Sequence, residues 1–170
     1  MTFTAAERRT LEPVRREVVR LARTAPERRD LFLCHAWPDR AGGAKELHDL
    51  LVALGVTVWF SEKDVPLGAS LIRQIDKGLK MCRAGLVLVT PALFDSLNAE
   101  GVADKELSVL LATDRVIRVA HGTTFEALRD VSPLLAARSG LTTDEATTLE
   151  DVAAKIADTV LILADQSASA

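Results

Sequence analysis

The chain has 170 residues, of which 48% are hydrophobic and 26% charged, with a formal net charge of −3. That length suits one domain with a substantial buried core, and the composition excludes a disordered or fibrous chain. The slight acidity gives no general grip on nucleic acid or an anionic membrane, and no apolar run approaches the ~20 residues of a bilayer span.

Arginines gather near the start (Arg8, Arg9, Arg15, Arg16, Arg20, Arg23, Arg28, Arg29), interleaved with glutamates in the pattern of a solvated helical face. Leu11, Val14, Val18 and Leu21 recur every three or four residues, which predicts an amphipathic helix from Thr10 to Arg23. Thr10 is its expected cap, with Pro13 in the first turn, where a missing N–H costs little. After a break at residues 24–27, short apolar strands alternate with amphipathic helices. Asp30 to His35 is the first strand. Leu47, Leu50, Leu51 and Leu54 mark a helix face, and Gly55 stands where a left-handed cap belongs. Val56 to Phe60 is the second strand, followed by a polar loop from Ser61 to Gly68 and a helix carrying Leu71, Ile75 and Leu79. Ala84 to Thr90 is an unbroken apolar run, as a central parallel strand buried on both faces requires.

Beyond Pro91, a helical turn with Leu93 and Phe94, a loop at 98–102, and a helix from about Ala103 with Leu107, Leu110 and Leu111 inward are expected. Arg115 to Ala120 is the fourth strand, Phe125 to Val131 a short helix, and Ser139 to Thr142 a weak strand. Thr147 with Glu150 reads as a capping box before a last helix, Leu149 to Ala164. The division expected is a helical extension and linker over 1–29, one domain over 30–164 and a flexible tail over 165–170. The alternation implies an α/β fold: a flavodoxin-like parallel sheet of four to five strands, helices on both faces, and an added N-terminal helix. Ligands in such sheets sit beyond the carboxyl ends of the strands.

Several activities are excluded by what the loops lack. No Gly-x-x-x-x-Gly-Lys-[Ser/Thr] or Gly-x-Gly-x-x-Gly follows a strand, and no Gly-x-Ser-x-Gly elbow occurs. A phospho-receiver needs acids where this chain has Cys34-His35 and Val89-Thr90. Cys34 and Cys82 have no metal-like spacing to each other or to the histidines, so they read as core residues in a reducing compartment. With no signal-peptide pattern at the start, a cytoplasmic location is expected.

The segments that remain resemble the TIR family, in the family's order. Asp30-Leu-Phe-Leu-Cys-His-Ala-Trp-Pro-Asp39 resembles its opening box, and Gly55-Val-Thr-Val-Trp-Phe-Ser-Glu62 its second strand. Val65-Pro-Leu-Gly-Ala-Ser-Leu71 is similar to the BB loop, Ile75-Asp76-Lys77-Gly78-Leu79 to the next helix, and Leu86 to Pro91 to the central strand. Lys105-Glu106-Leu107 matches the end of the Trp-x-x-x-Glu-Leu signature, and His121-Gly122 and Ser132-Pro133-Leu134 are similar to bacterial members. Five boxes in order, over roughly residues 30–160, identify the chain as a member of the bacterial type.

The family contains adaptors as well as enzymes, and its enzymes break the nicotinamide–ribose bond of NAD. The resemblance therefore implies an NAD glycohydrolase or ADP-ribosyl cyclase with Glu106 as its catalytic carboxylate. NAD is then the substrate, with no cofactor and no metal. The resemblance further implies Phe32, His35, Ala36, Trp37, Leu67, Gly68, Ser70, Asp76 and Val102 as substrate-binding positions. Within that set, His35 is expected to hold the strand-end loop by hydrogen bonds, and Cys34 to pack. Trp37 either stacks on a base or anchors its loop, and Asp76 either binds ribose or is a solvated helix acid.

Two departures from the pattern stand out. Val102 replaces the tryptophan that stacks on nicotinamide, offering apolar contact but no ring face. Ile72 replaces an arginine that commonly precedes the acid at Asp76. The partners implied are NAD, further copies of the chain through TIR–TIR contacts, and a separate effector protein responding to the product, as in antiphage Thoeris-type systems. No nucleic-acid or membrane partner is implied. The alternatives are a non-enzymatic scaffold working through TIR–TIR contacts and a different nucleoside or nucleotide hydrolase using the same pocket. The N-terminal helix either packs on the domain or mediates assembly.

Overall fold

The computed structural model describes residues 3–60, 71–93, 95, 114–123 and 140–161. Helix α1 spans Ala5–Thr24 and starts well before Thr10, because Thr4 and Glu7 close a capping box. The Thr4 hydroxyl accepts from the Glu7 N–H at 3.1 Å, and the Glu7 carboxylate accepts from the Thr4 N–H at 2.8 Å. Thr10, the expected cap, lies inside the helix and donates its hydroxyl to the Ala6 carbonyl. Pro13 is therefore an interior residue rather than a first-turn one. An interior proline costs about 3 kcal/mol, whereas each fully buried aliphatic side chain contributes about 1.5–3 kcal/mol. Leu11, Val14, Val18 and Leu21 are all buried, so packing wins.

Strand β1 is Arg29–Cys34, helix α2 is Gly43–Ala53 and strand β2 is Val58–Phe60. Helix α3 spans Leu71–Met81 and runs directly into β3, Cys82–Val89. Strands β4 (Val116–Ala120) and β5 (Leu141–Thr142) follow, then helix α4, Leu149–Val160. The strands end a residue or two away from the expected limits, and at three of these ends the flanking residue is bonded elsewhere. His35 and Thr90 leave the ladder to bond the loops, and Thr57 is held by Asp30 before pairing begins. Gly55 has φ +94, the left-handed value expected of it.

The cap of α4 lies one residue further on than the sequence suggests. Thr148 and Asp151 form the box, while Thr147 donates its N–H to Asp144 Oδ1 in an Asx turn. The helix stops before Ala164, because Leu161 is already extended and Arg15 donates to the Thr159 and Leu161 carbonyls at 3.1 and 2.6 Å. The expected loop at 61–68, the loop and helix expected over 98–111, the expected helix at 125–131 and the expected tail from 165 lie outside the described residues.

All strand pairs are parallel and the order is β2-β1-β3-β4-β5, the flavodoxin-like order. Leu31, Leu33, Leu86, Leu88, Ile117 and Val119 form one face with α1, α2 and α4. Helix α1 lies against α4, β3 and β4, so its apolar stripe belongs to the main core. On the other face, Phe32, Cys34, Val87 and Val89 pack with Ile75 of α3. Gly78 and Gly85 make that packing possible: a Cβ at either would collide with the Phe32 ring. Phe32 pairs in register with Gly85, so the ring fills the space a side chain there would need.

The lower edge of the sheet, at the strand N-termini, is densely bonded. Asp30 accepts from the Thr57 N–H at 2.9 Å and from Arg83 Nη1 at 2.9 Å, joining the entries of β1, β2 and β3. Arg115 donates to the carbonyls of Leu79, Cys82 and Arg83, and Arg28 also reaches Leu79, which closes the end of α3. Among the described residues, no helix is long and apolar enough to cross a membrane.

Candidate functional site

The strand order locates the site. The chain leaves β1 toward β2 on one side and leaves β3 toward β4 on the other, so the switch point lies between the exits of β1 and β3. The residues there are His35 and Ala36 after β1 and Thr90 and Pro91 after β3, with His121 next to them after β4.

His35 is 3% exposed, and its Nδ1 lies 2.8 Å from the Ala36 carbonyl. A carbonyl can only accept, so Nδ1 donates and the imidazole holds the strand-end turn. Ala36 is buried, and its carbonyl also receives the Asp39 N–H at 3.0 Å. A 3₁₀ turn covers Trp37–Asp39, and the Trp37 side chain lies outside what the structure describes. Asp39 then accepts the Thr90 hydroxyl at 2.6 Å, linking the exits of β1 and β3. Thr90 also accepts from the Leu93 N–H at 3.2 Å, so it caps the helical turn at 91–93, with Pro91 in the favoured first position.

His121 takes up the side nearer β5. Its N–H donates to the Val89 carbonyl at 2.9 Å, and its Nδ1 lies 2.7 Å from the Thr143 hydroxyl. A methyl at Gly43 would stand 3.1 Å from the His121 ring, so the glycine at the start of α2 lets the imidazole pack there. Gly122 follows with φ +72, a turn open to glycine but strained for other residues.

The other expected site residues fall in three groups. Phe32 is 1% exposed and sits in the core beneath α3, with its ring closed in by Gly78 and Gly85. Asp76 is an exposed helix acid, 3.3 Å from Lys80 one turn on, which is the geometry of a solvated surface pair. Leu67, Gly68, Ser70, Val102 and Glu106 lie outside the described residues. Cys34 and Cys82 are buried free thiols, and burial pushes Cys82 up to about 11, so it is a packing residue rather than a nucleophile. Among the described residues no cluster of three or more His, Cys, Asp or Glu side chains is arranged to hold a metal ion.

Sequence reasoning passed over Asp39, Thr90, Thr143 and Gly43. Thr90-Pro91 did carry a signal, being a cap followed by a first-turn proline. Asp39 closes the opening box, but its partner Thr90 is distant in the chain, and Thr143 carried no signal for the same reason.

Comparison with known proteins agrees with this architecture. A family model described as TIR domain matches residues 31–152. A protein named NAD(+) hydrolase TcpA from Theionarchaea archaeon is 33% identical over 114 residues, covering 64% of this chain and 33% of its own length. One named 2′ cyclic ADP-D-ribose synthase AbTIR from Acinetobacter baumannii is 30% identical over 142 residues, covering 81% of this chain and 51% of its own. This chain thus spans between a third and about half the length of those relatives. In fold it is similar to a metazoan TIR-STING receptor from C. gigas, solved in complex with 2′,3′-cGAMP. The TM-score there is 0.51 at 17% identity, over 78% of this chain and 40% of that one. With a family model spanning most of the domain, and the parallel order β2-β1-β3-β4-β5 beneath it, the chain belongs to the TIR domain family.

Proposed function

We propose that this TIR domain cleaves the nicotinamide–ribose bond of NAD, releasing nicotinamide and ADP-ribose or a cyclic or conjugated derivative. The observation that carries the reading is its likeness to relatives named as an NAD(+) hydrolase and a 2′ cyclic ADP-D-ribose synthase, at 33% and 30% identity. The fold supports it with a switch point between the exits of β1 and β3, where ligands of such sheets sit and where His35, Ala36 and Thr90 are buried and hydrogen-bonded.

The chemistry needs one carboxylate. A glycosidase acting on an ordinary sugar must protonate a poor leaving group, so it uses two. Nicotinamide departs from a pyridinium cation as a neutral base and needs no acid. Glu106 is the proposed group: held near the ribose, it accepts hydrogen bonds from the hydroxyls and stabilises the positive charge that grows as the C–N bond breaks. Its expected place in the first turn of a helix favours the ionised form. Water then captures the ribosyl centre, giving ADP-ribose and a proton; an internal nucleophile gives a cyclic product instead.

The proposed setting is a bacterial cytoplasm, in antiphage innate immunity of the Thoeris type. There the chain self-associates through TIR–TIR contacts, and the product signals to a separate effector protein. Val102, in place of the stacking tryptophan, favours a second reading, a scaffold without turnover. Incubating the purified protein with NAD at low and high concentration, with mass-resolved chromatography of the products, separates the two. Nicotinamide release that is lost in a folded Glu106→Ala variant supports the enzyme. No release at any concentration rejects it in favour of the scaffold.

A further inference from the structure

We propose that Asp39 and Thr90 are a positioning pair: their hydrogen bond locks the loop after β1 to the loop after β3 and holds the mouth of the nucleotide crevice in its binding shape. The inference rests on the NAD-binding reading above. Its starting point is a short polar contact between two loops at the strand exits. Thr90 is 4% exposed and follows the apolar run Leu86–Val89 at the end of β3, and its hydroxyl lies 2.6 Å from Asp39 Oδ2. A carboxylate only accepts, so the hydroxyl proton points at Asp39, and the length is that of a charge-assisted O–H···O⁻ bond. The remaining capacity of the hydroxyl is used by the Leu93 N–H at 3.2 Å.

Asp39 is itself fixed at both backbone ends. Its N–H donates to the Ala36 carbonyl, and its own carbonyl receives the Gly42 N–H, each at 3.0 Å. One bonded series therefore runs Gly42–Asp39–Thr90–Leu93, with Ala36 and the His35 imidazole attached through the Ala36 carbonyl. It crosses the switch point from one loop to the other. The Asp30 clamp joins the strand entries at the opposite edge, whereas the Asp39–Thr90 bond joins the exits of β1 and β3. Its position at the exits suits it to set the distance between the two walls of a ligand crevice. Neither residue has to touch the reacting bond, so the pair acts on binding more than on the chemical step.

The test is steady-state cleavage of NAD by the full chain, with Thr90→Val, Thr90→Ser and Asp39→Asn, alongside hydrogen exchange of residues 37–42 and 91–93. Losing a hydrogen bond to a charged group corresponds to roughly a ten- to hundredfold effect. Thr90→Val is expected to raise KM by about that factor with kcat little changed, whereas Thr90→Ser retains the hydroxyl and stays near the wild type. Asp39→Asn keeps an acceptor oxygen and is expected to resemble Thr90→Ser. Exchange in both loops should accelerate together in Thr90→Val, with the sheet protected as before. Wild-type kinetics in Thr90→Val, a loss carried wholly by kcat, or a severe loss in Asp39→Asn while Thr90→Val stays active would each overturn the proposal. If the wild type itself releases no nicotinamide, the catalytic reading fails alone. The exchange measurement then decides the lock: joint acceleration supports it, and unchanged exchange rejects it.

Discussion

The two edges of the sheet are held by different chemistry. At the lower edge, Asp30 ties three strand entries together, while Arg28 and Arg115 cover the carbonyls at the end of α3. These are long side chains saturating backbone groups that would otherwise lack donors, and they leave little to move. At the upper edge short side-chain bonds hold the loops: His35 to Ala36 within one turn, Thr90 to Asp39 between the exits of β1 and β3, and His121 to Thr143 between those of β4 and β5. The lower edge resembles a clamp, while the upper edge is tied loop by loop at the strand exits. The contrast teaches where stability and function are divided: a mutation below should unfold the domain, and one above should alter a ligand.

The largest expected effect follows from the proposed activity. Glu106→Gln should lower NAD turnover by about a hundredfold to a thousandfold, the usual cost of removing one electrostatic stabiliser of a transition state. Its melting temperature should stay within a degree or two of the wild type by roughly the surface-mutation range. A large stability loss there would break the division of labour.

The next effect tests the lower edge. Asp30→Ala removes the carboxylate paired with the Arg83 guanidinium, whose side chain is only 13% exposed and, among the described residues, keeps only its bond to the Pro26 carbonyl, and it frees Thr57. A destabilisation of about 3 kcal/mol is expected, read as a shift in the urea midpoint at constant slope. A smaller effect, about 1–3 kcal/mol, is expected of Gly85→Ala, because the added methyl forces the buried Phe32 ring off its seat. If the urea midpoint is unchanged, Phe32 has room to move and the tight packing under α3 is wrong.

The smallest effect sharpens the contrast from outside both edges. Lys155 lies 2.6 Å from Glu7, joining α1 to α4. Burial pulls the Glu7 carboxyl upward, but the Lys155 bond and the Thr4 N–H outweigh it and leave the group below its ordinary value. A lowered folded-state value stabilises the domain above the unfolded value of about 4.3, and that contribution disappears as the pH falls through the lower one. The melting temperatures of wild type and Glu7→Gln should therefore differ at neutral pH and converge as acid protonates the Glu7 carboxyl in the folded domain. A difference that persists into acid would mean the ion pair is not its source.

Much of this was legible in the residues. The run Ala84 to Thr90 announced a central parallel strand, since only a strand covered on both faces can be apolar at every position. The stripe Leu11, Val14, Val18, Leu21 named the buried face of α1 correctly, even though its cap was misread. That error has a plain cause. Helix periodicity fixes a face, but a start depends on which of several threonines finds a partner three residues on, and Thr4 with Glu7 competes with Thr10. The displaced cap at Thr148 has the same origin, because Asp144 captures Thr147 first.

The candidate site was legible only as a place. Alternating strands and helices by themselves implied loops at the carboxyl edge of a parallel sheet, and the ordered boxes named the family. Local patterns reach this far because they depend on neighbours within a few residues: periodicity, caps, turns and apolar runs. Only the tertiary structure decided that Phe32 lies under α3 against two glycines, that Asp76 is a surface acid, and that Asp39 meets Thr90 across the switch point. These depend on strand order and register, which bring together residues some fifty positions apart, and no pattern along one chain encodes that distance.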